Sequence, residues 1–573
     1  MNLSAMSFER RPFHRTLGWA WRLLVGLLLG TVAGGCASVP PPVERPVTRA
    51  FDAPGQTPLG RLVEQRRTQQ RARSDSAFVL LDSVESALSS RLALAERAAR
   101  SLDLQYYAIH ADASTELLLQ RIREAARRGV RVRILLDDFN AVGDDAQVLR
   151  LAFEPNVEMR LFNPLPGSRR SLFARLLAAL PDFHAAQKRM HNKLFIADNA
   201  WGIAGGRNLG DAYFDADGDS NFVDLDILAA GRIVREMSAS FDHYWNDPLA
   251  YRAQELLEPG ELERMHKPAD RGAQPGATPD PKGADALPSS RPGDAQAILP
   301  DVSQRARQQA ARAPMDLARA PLVWASSALM VDRPGKIASS DDPQDTRETV
   351  VGGLLSVLET AREEVLVMSP YFVPGAEMMR SFAALRARGV RVRVLTNSLA
   401  SNDAPVAHAG YARYRRDLLR MGVELHEMRA ARETAVGLDG GTAPQESPPR
   451  PRGLSGVGGS QSAGSHASLH SKAVVIDRSL SVIGSMNLDL RSKLQNSEVA
   501  LLVRSRVLAG QAARMIEHSF ERSAYRVVEQ DRRLLWKAPP GAGFDDATAE
   551  PDASLMLRLL VRVLGSLAPE EML

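Results

Sequence analysis

A histidine and a lysine two residues apart occur twice in this chain, as His191-Asn192-Lys193 and as His470-Ser471-Lys472. On a β-strand residues i and i+2 share a face, so each pair projects an imidazole and an ammonium together. The text that follows is shared too. An apolar run leads to Asp198 in the first copy and to Asp477 in the second, and a further apolar stretch ends in Gly205-Gly206-Arg207-Asn208 and Gly484-Ser485-Met486-Asn487. The internal spacing is the same in both. An imidazole can attack, or donate and accept a proton, near neutral pH, while lysine and asparagine donate to phosphate oxygens. Two such sets suit phosphodiester transfer through a covalent enzyme. One neutral imidazole attacks phosphorus; the opposing imidazolium protonates the leaving alkoxide and then deprotonates the acceptor hydroxyl. Lys193, Lys472, Asn208 and Asn487 would hold the non-bridging oxygens as negative charge builds. The scheme calls for no metal and no cofactor. A lone His-x-Lys on a strand is ordinary surface decoration, but the duplication argues against that reading.

The elements that must carry the two sets repeat as well. Residues 83–99 have a helical pattern and 101–109 read as a strand; 114–128 read as a helix stopped by Gly129, with a strand over 130–136. The second half runs the same way, with a strand over 364–369, a helix over 376–388, Gly389 and a strand over 390–395. Strands alternating with helices argue for α/β layers, and the duplication for two of them facing each other. The 573 residues exceed one ordinary core. From composition, residues 37–75 read as a tether, 76–257 as a first domain, 258–316 as a disordered linker and 317–540 as a second domain. A disordered Gly/Pro/Ser-rich insertion covers 437–465, and 541–573 form a tail.

These residues resemble the phospholipase D superfamily, whose signature H-x-K-x4-D-x6-G-[GS]-x-N the chain matches twice. The flanking Leu104-Gln105-Tyr106-Tyr107, the segment from Leu395 to Asp403, and His408-Ala409-Gly410-Tyr411 look most like bacterial cardiolipin synthases of the C type. The resemblance implies two α/β sandwich domains related by a pseudo-two-fold axis, with the active site at their interface. It implies His191 as nucleophile and His470 as general acid and base. A carboxylate should fix the tautomer of each histidine. Glu498, 28 residues after His470, sits where the family has one in the second half. Asp224 is the candidate to orient His191 in the first half, with Asp226 on the same strand face as the alternative. Asp198 and Asp477 read as turn carboxylates holding neighbouring strands. Arg207 either adds charge near the phosphate or pairs with Asp211.

The termini concern the membrane. Arg10, Arg11, Arg15 and Arg22 precede an apolar stretch and Ala33-Gly34-Gly35-Cys36, which resembles a lipoprotein cleavage box. Residues 1–36 then form a signal segment, Cys36, the single cysteine, carries the lipid, and the catalytic halves face the periplasm. An uncleaved inner-membrane anchor is the alternative. Residues 553–567 are apolar except for Arg558 and Arg562. They fit a basic amphipathic helix lying in a membrane interface, or a helix docking on the second domain. The expected partners are phospholipids, phosphatidylglycerol first and phosphatidylethanolamine second, and the membrane surface. With a net charge of +4 and no concentrated basic face, nucleic acid is not expected. Both motifs lie in one chain, which suits a monomer. The activity expected is phosphatidyl transfer through a phosphohistidine; hydrolysis by the same residues and a nuclease are the alternatives.

Overall fold

The computed structural model describes residues 45–567 except 170, 181–185, 215–220, 258–260, 262–312, 339–348 and 431–466. The signal segment with Cys36, nearly all of the linker and the insertion at 437–465 therefore lie outside the described residues.

The first half contributes β1 (Ser76–Leu81), β2 (Ser101–Tyr106), β3 (Arg131–Asp137), β4 (Val157–Phe162), β5 (Leu194–Ala197), β6 (Trp201–Gly205), β7 (Asn221–Val223), β8 (Asp226–Gly231), β9 (Ala250–Arg252) and β10 (Val323–Trp324). The second contributes β11 (Ser326–Val331), β12 (Glu364–Met368), β13 (Arg391–Asn397), β14 (Glu424–Met428), β15 (Ala467–Leu469), β16 (Ala473–Ile476), β17 (Leu480–Gly484), β18 (Val499–Arg504), β19 (Ala524–Gln530) and β20 (Arg533–Lys537). They build two nine-stranded sheets, ordered β10-β1-β8-β6-β5-β2-β3-β4-β9 and β11-β18-β17-β16-β12-β13-β14-β19-β20. From β1 to β9 and from β11 to β19 the two orders correspond strand for strand. The central strands β2, β5, β6, β16 and β17 are buried throughout, mostly as apolar runs, although β2 also buries Ser101, Asp103 and Gln105. Gly129 and Gly389 end equivalent helices with φ of 90° and 81°, and in each case the next valine amide bonds back into the last turn.

Three apolar layers hold the sheets. Helices Val84–Arg97 and Ala113–Arg127 cover the outer face of the first sheet, and Val350–Leu358 and Gly375–Ala387 that of the second. Between the sheets lie helices Arg232–Trp245 and Arg506–Arg522, whose Met237, Phe241, Ile516 and Phe520 share one cluster with Phe78, Ile227, Leu366 and Leu501. The middle layer draws on both halves. At about 25 cal/mol per Å² of apolar surface, such a shared layer docks the halves rigidly.

Three sequence boundaries need correction. Residues 45–75 are not all tether. Arg133 donates to the Thr48 carbonyl at 3.1 Å, and helix Pro58–Gln69 buries Leu59 and Val63 in the first core. The second half begins near Ser326 and not at 317. Leu317, Ala320 and Leu322 belong to the first core, and β10 pairs antiparallel with β1. Lastly, much of 541–567 is bound to the second half. Ala547 bridges Trp536, and the terminal helix Leu555–Leu567 packs Val561, Leu557 and Leu564 on Leu399 and Ala409.

Candidate active site

Both motifs sit on matching central hairpins. At the turn of β5–β6, the Asp198 carboxylate accepts the amides of Ala99, Arg100 and Ser101 at 2.7–3.1 Å. At the turn of β16–β17, Asp477 accepts those of Arg362, Glu363 and Glu364 at 2.8–3.3 Å. Each aspartate thus locks its hairpin against the incoming strand, β2 or β12, and so sets the register that carries the histidine.

The residue before each histidine is clamped from a neighbouring strand end. Asp137, the last residue of β3, accepts the Met190 amide at 2.8 Å. Asn397, the last of β13, accepts the Leu469 amide at 2.9 Å and donates to its carbonyl at 2.9 Å. These two positioning residues were not singled out from sequence. They stand at the same point after the repeated Arg-Gly-Val-Arg-Val-Arg words, a signal that aligning the two halves supplies.

From there the chain crosses between halves. The β7 and β15 strands pair in parallel as a separate two-stranded sheet, and the His470 amide donates to Val223 at 2.8 Å. On the other side the His191 amide donates to Ser497 at 2.9 Å, and the Ser497 amide to Arg189 at 3.0 Å. This weave carries each half's carboxylate to the other half's histidine. His191 Nδ1 lies 2.9 and 3.1 Å from the Glu498 oxygens, and His470 Nδ1 lies 2.7 Å from Asp224. The expectation that Asp224 or Asp226 would orient His191 is therefore corrected: Glu498 of the other half does so, and Asp224 faces His470. Asp226 serves neither: it pairs with Arg91 at 2.8 Å and Arg207 at 3.3 Å. Arg207, far from meeting Asp211, also donates to the main chain of Leu81 at 3.2 Å and of Asp224 at 2.5 Å, which fixes Asp224 in place.

The turn glycines make room for these carboxylates. A Cβ on Gly205 would collide with Asp226, one on Gly206 with Asp224, and one on Gly484 with the Val499 carbonyl. Ser485 stands where Gly206 does in the other half, and instead of yielding space it donates to Glu498 at 2.5 Å. Ser492 adds a second donor to Glu498 at 2.8 Å.

Lys193 donates to the His191 carbonyl at 2.8 Å and Lys472 to that of His470 at 2.5 Å. Asn208 is engaged at both ends, accepting the Ala108 amide at 3.3 Å and donating to the Tyr213 hydroxyl at 2.9 Å. Asn487 differs: its buried carbonyl oxygen has no hydrogen-bond partner among the described residues. Rings border both imidazoles. Tyr107 lies edge-on to His191 at 5.2 Å, and Tyr213 and Phe222 lie 5.2 and 5.0 Å from His470.

The histidines are 8% and 6% exposed, and burial dominates their proton affinities. It pushes His191 well below the ordinary imidazole value, with Lys193 and Lys472 adding to the effect. Burial, and then Lys472, lowers His470 to about 3, although Asp224 works in the opposite direction. Each lysine acts on the opposite half's histidine as well as its own, so the four groups share one field. Burial lowers Lys193 well below its usual value and Lys472 to about 8. It raises Glu498 to about 7 and works the same way on Asp224, but the hydrogen bond with His470 and the charge of Lys472 outweigh it there and hold Asp224 far below the carboxylate range. An ionised carboxylate only accepts, so the histidine beside one carries its proton on Nδ1 and has Nε2 left for chemistry. Two imidazoles presenting Nε2 in a cationic pocket can attack phosphorus from one side and handle the alcohol's proton on the other. Among the described residues no three His, Cys, Asp or Glu side chains group so as to hold a metal ion.

The family described as "Cardiolipin synthase, PLD-like domain" matches residues 92–245 and 354–522, more than half of the chain. Cardiolipin synthase C of Escherichia coli (strain K12) is 35% identical over 496 residues, covering 85% of this chain and 94% of that one. An uncharacterized protein of Helicobacter pylori is 31% identical over 509 residues, 88% of this chain and 91% of its own. Cardiolipin synthase A of Pseudomonas entomophila is 24% identical over 460 residues, 79% and 70% of the two chains. A crystal structure of phosphatidylserine synthase from Haemophilus influenzae covers 81% of this chain and 92% of its own, with a TM-score of 0.48 and 12% identity.

The crossed pairing is testable without any substrate. In nitrogen-15 spectra of the folded protein, Glu498→Ala is expected to mix the tautomers of His191 and leave the His470 ring signals in place, and Asp224→Ala to do the reverse. Perturbation of the histidine in the mutated residue's own half would overturn the assignment.

Proposed function

Because the chain belongs to the cardiolipin synthase family of PLD-like proteins, we propose that it transfers a phosphatidyl group between phospholipids through a phosphohistidine on His191. The observation that carries the reading is the pair of buried imidazoles, each with Nδ1 on a carboxylate of the opposite half. His191 Nε2 attacks phosphorus, the P–O bond to the departing alcohol breaks, and His470 delivers the proton to that oxygen. The incoming hydroxyl then gives its proton to His470 and attacks phosphorus as the P–N bond breaks. Lys193, Lys472 and Asn487 hold the non-bridging oxygens. The roles divide this way because Asp224, held ionised, best supports the imidazolium that forms on His470. Glu498 is more weakly ionised and leaves His191 the neutral nucleophile.

Purified protein given phosphatidylglycerol labelled in its phosphate is expected to release diphosphatidylglycerol and glycerol. A rapid denaturing quench should trap acid-labile label that His191→Ala abolishes. Phosphatidic acid as the sole product would make the enzyme a hydrolase, and label on His470 would exchange the two roles.

The pH dependence follows from two groups. Glu498, raised to about 7 by burial, loses its charge as pH falls through that value and stops holding the His191 tautomer. Lys472, lowered to about 8 by burial, loses its charge as pH rises through that value and releases the phosphate oxygen. In the substrate complex, where the phosphodiester's charge restores the proton on His470, kcat is therefore expected to fall below about pH 7 as Glu498 is protonated and again at high pH as Lys472 is deprotonated. A profile flat from pH 5 to 7 would remove Glu498 from the mechanism.

The lipid is met at a membrane surface. No helix among the described residues is long and apolar enough to cross a bilayer. The terminal helix turns Leu555, Met556, Leu559, Leu560 and Val563 outward, 48–80% exposed, while its other side rests on helix Pro405–Arg420. Such a row suits shallow insertion into a leaflet. The lipidated Cys36, expected from sequence alone, adds the tether and places the catalytic halves in the periplasm. In flotation with phosphatidylglycerol vesicles, a chain starting at residue 37 should float, and L559D with L560D should cut the floated fraction several-fold. In cells, labelled palmitate should appear on the wild-type protein and not on Cys36→Ser. Unchanged flotation would remove the helix from the reading, and palmitate absent from the wild type would remove the lipoprotein.

A further inference from the structure

The carboxylates around the site are nearly all committed. Glu498 and Asp224 hold the histidines, Asp137 holds Met190, and Asp489 caps helix Leu490–Leu494 through the Ser492 amide. Asp403 holds none of them. It lies half-buried in the loop between β13 and helix Pro405–Arg420, and both its oxygens sit 2.8 Å from one donor, the hydroxyl of Tyr371. No cationic side chain pairs with it among the described residues, although it lies within the field of Lys472 and of Tyr213.

Tyr371 is held as firmly as the motif itself. Its carbonyl accepts Ser369 Oγ at 2.7 Å, and the same hydroxyl accepts the Leu488 amide at 3.0 Å, one residue past Asn487. Phe372 bridges Leu488 as Ile109 bridges Leu209, so Tyr371 occupies the place that Ala108 has in the first half. The Tyr371–Asp403 pair therefore breaks the pseudo-symmetry, and does so on the side of His470 and Lys472.

That side has a defined chemical task. With His191 attacking, in-line displacement puts the departing and incoming alcohols opposite it, beside His470. Resting on the transfer reading above, we propose that Asp403 and Tyr371 form the alcohol subsite and select alcohols carrying a second hydrogen-bond donor near the reacting hydroxyl. A neighbouring hydroxyl or an ammonium on the headgroup both have this chemistry. A carboxylate accepts from either, and the tyrosine oxygen offers a second acceptor. In the acceptor half-reaction the bonds are those already given: P–N breaks, P–O forms, and the hydroxyl proton passes to His470.

The test uses the full chain with phosphatidylglycerol vesicles as donor and three soluble acceptors, glycerol, ethanolamine and 1-propanol, reading phosphatidyl-alcohol products. The measured quantity is kcat/KM for glycerol or ethanolamine divided by that for 1-propanol in the same preparation, so the folded fraction cancels. Asp403→Asn is expected to lower both ratios about tenfold, and Tyr371→Phe to lower them by less. A larger fall for ethanolamine identifies an ammonium subsite, and equal falls a neutral-donor subsite. Ratios unchanged in both variants, with transfer intact, would overturn the proposal and leave the transfer reading standing. Absence of any phosphatidyl alcohol from the wild type would overturn both.

Discussion

The structure depends on an exchange of carboxylates across the pseudo-two-fold axis. His191 answers to Glu498 and His470 to Asp224, at 2.9 and 2.7 Å. Neither half holds a complete unit, because the imidazole and its orienting carboxylate come from different sheets. Everything between the sheets serves this exchange: the β7–β15 pairing, the main-chain bonds through Ser497 and Val223, and the apolar layer that both halves fill. A buried charge left without its partner costs several kcal/mol, so slippage of one half against the other would be resisted electrostatically as well as by packing.

The copies have diverged where their tasks differ. Gly206 leaves room for Asp224 that a Cβ would take, whereas Ser485 at the matching place donates to the longer Glu498. Asp137, balanced by Arg189 at 3.4 Å, has Asn397 as its counterpart. Asn208 is tied to Tyr213, whereas the carbonyl of Asn487 is unpaired among the described residues. A symmetric scaffold can thus hold two imidazoles and still set them against different carboxylates, as a reaction with an attacking and a leaving side requires.

Much of this was legible in the chain. The duplicated motif located both histidines, both lysines and the two turn aspartates. The Gly129 and Gly389 stops marked equivalent helix ends, where φ is 90° and 81°. What was hidden was long-range. Reading Asp224 with His191 compares residues within one copy, but the pairing is decided where β7 meets β15, 246 residues apart for Asp224 and His470. Asp224 and Asp226 share strand parity, and the buried Arg91 and Arg207 claim the second. The boundary at 317 failed for a similar reason. Composition does not reveal that Leu317, Ala320 and Leu322 return to the first core before the chain leaves it.

The electrostatics of the pocket bear on how binding and chemistry are coupled. Burial drives the proton affinities of His191, Lys193, His470 and Lys472 downward together. A phosphodiester brings one negative charge into the same low-dielectric space and acts on all four in the opposite direction. His470 already stands beside an ionised carboxylate, Asp224. In the proposed transfer, the substrate's own charge therefore favours protonating His470 as the acid, while His191, facing the more weakly ionised Glu498, stays the neutral base. In this arrangement the division of labour between two chemically identical side chains needs no conformational switch; it follows from the unequal carboxylates and from the charge of what binds.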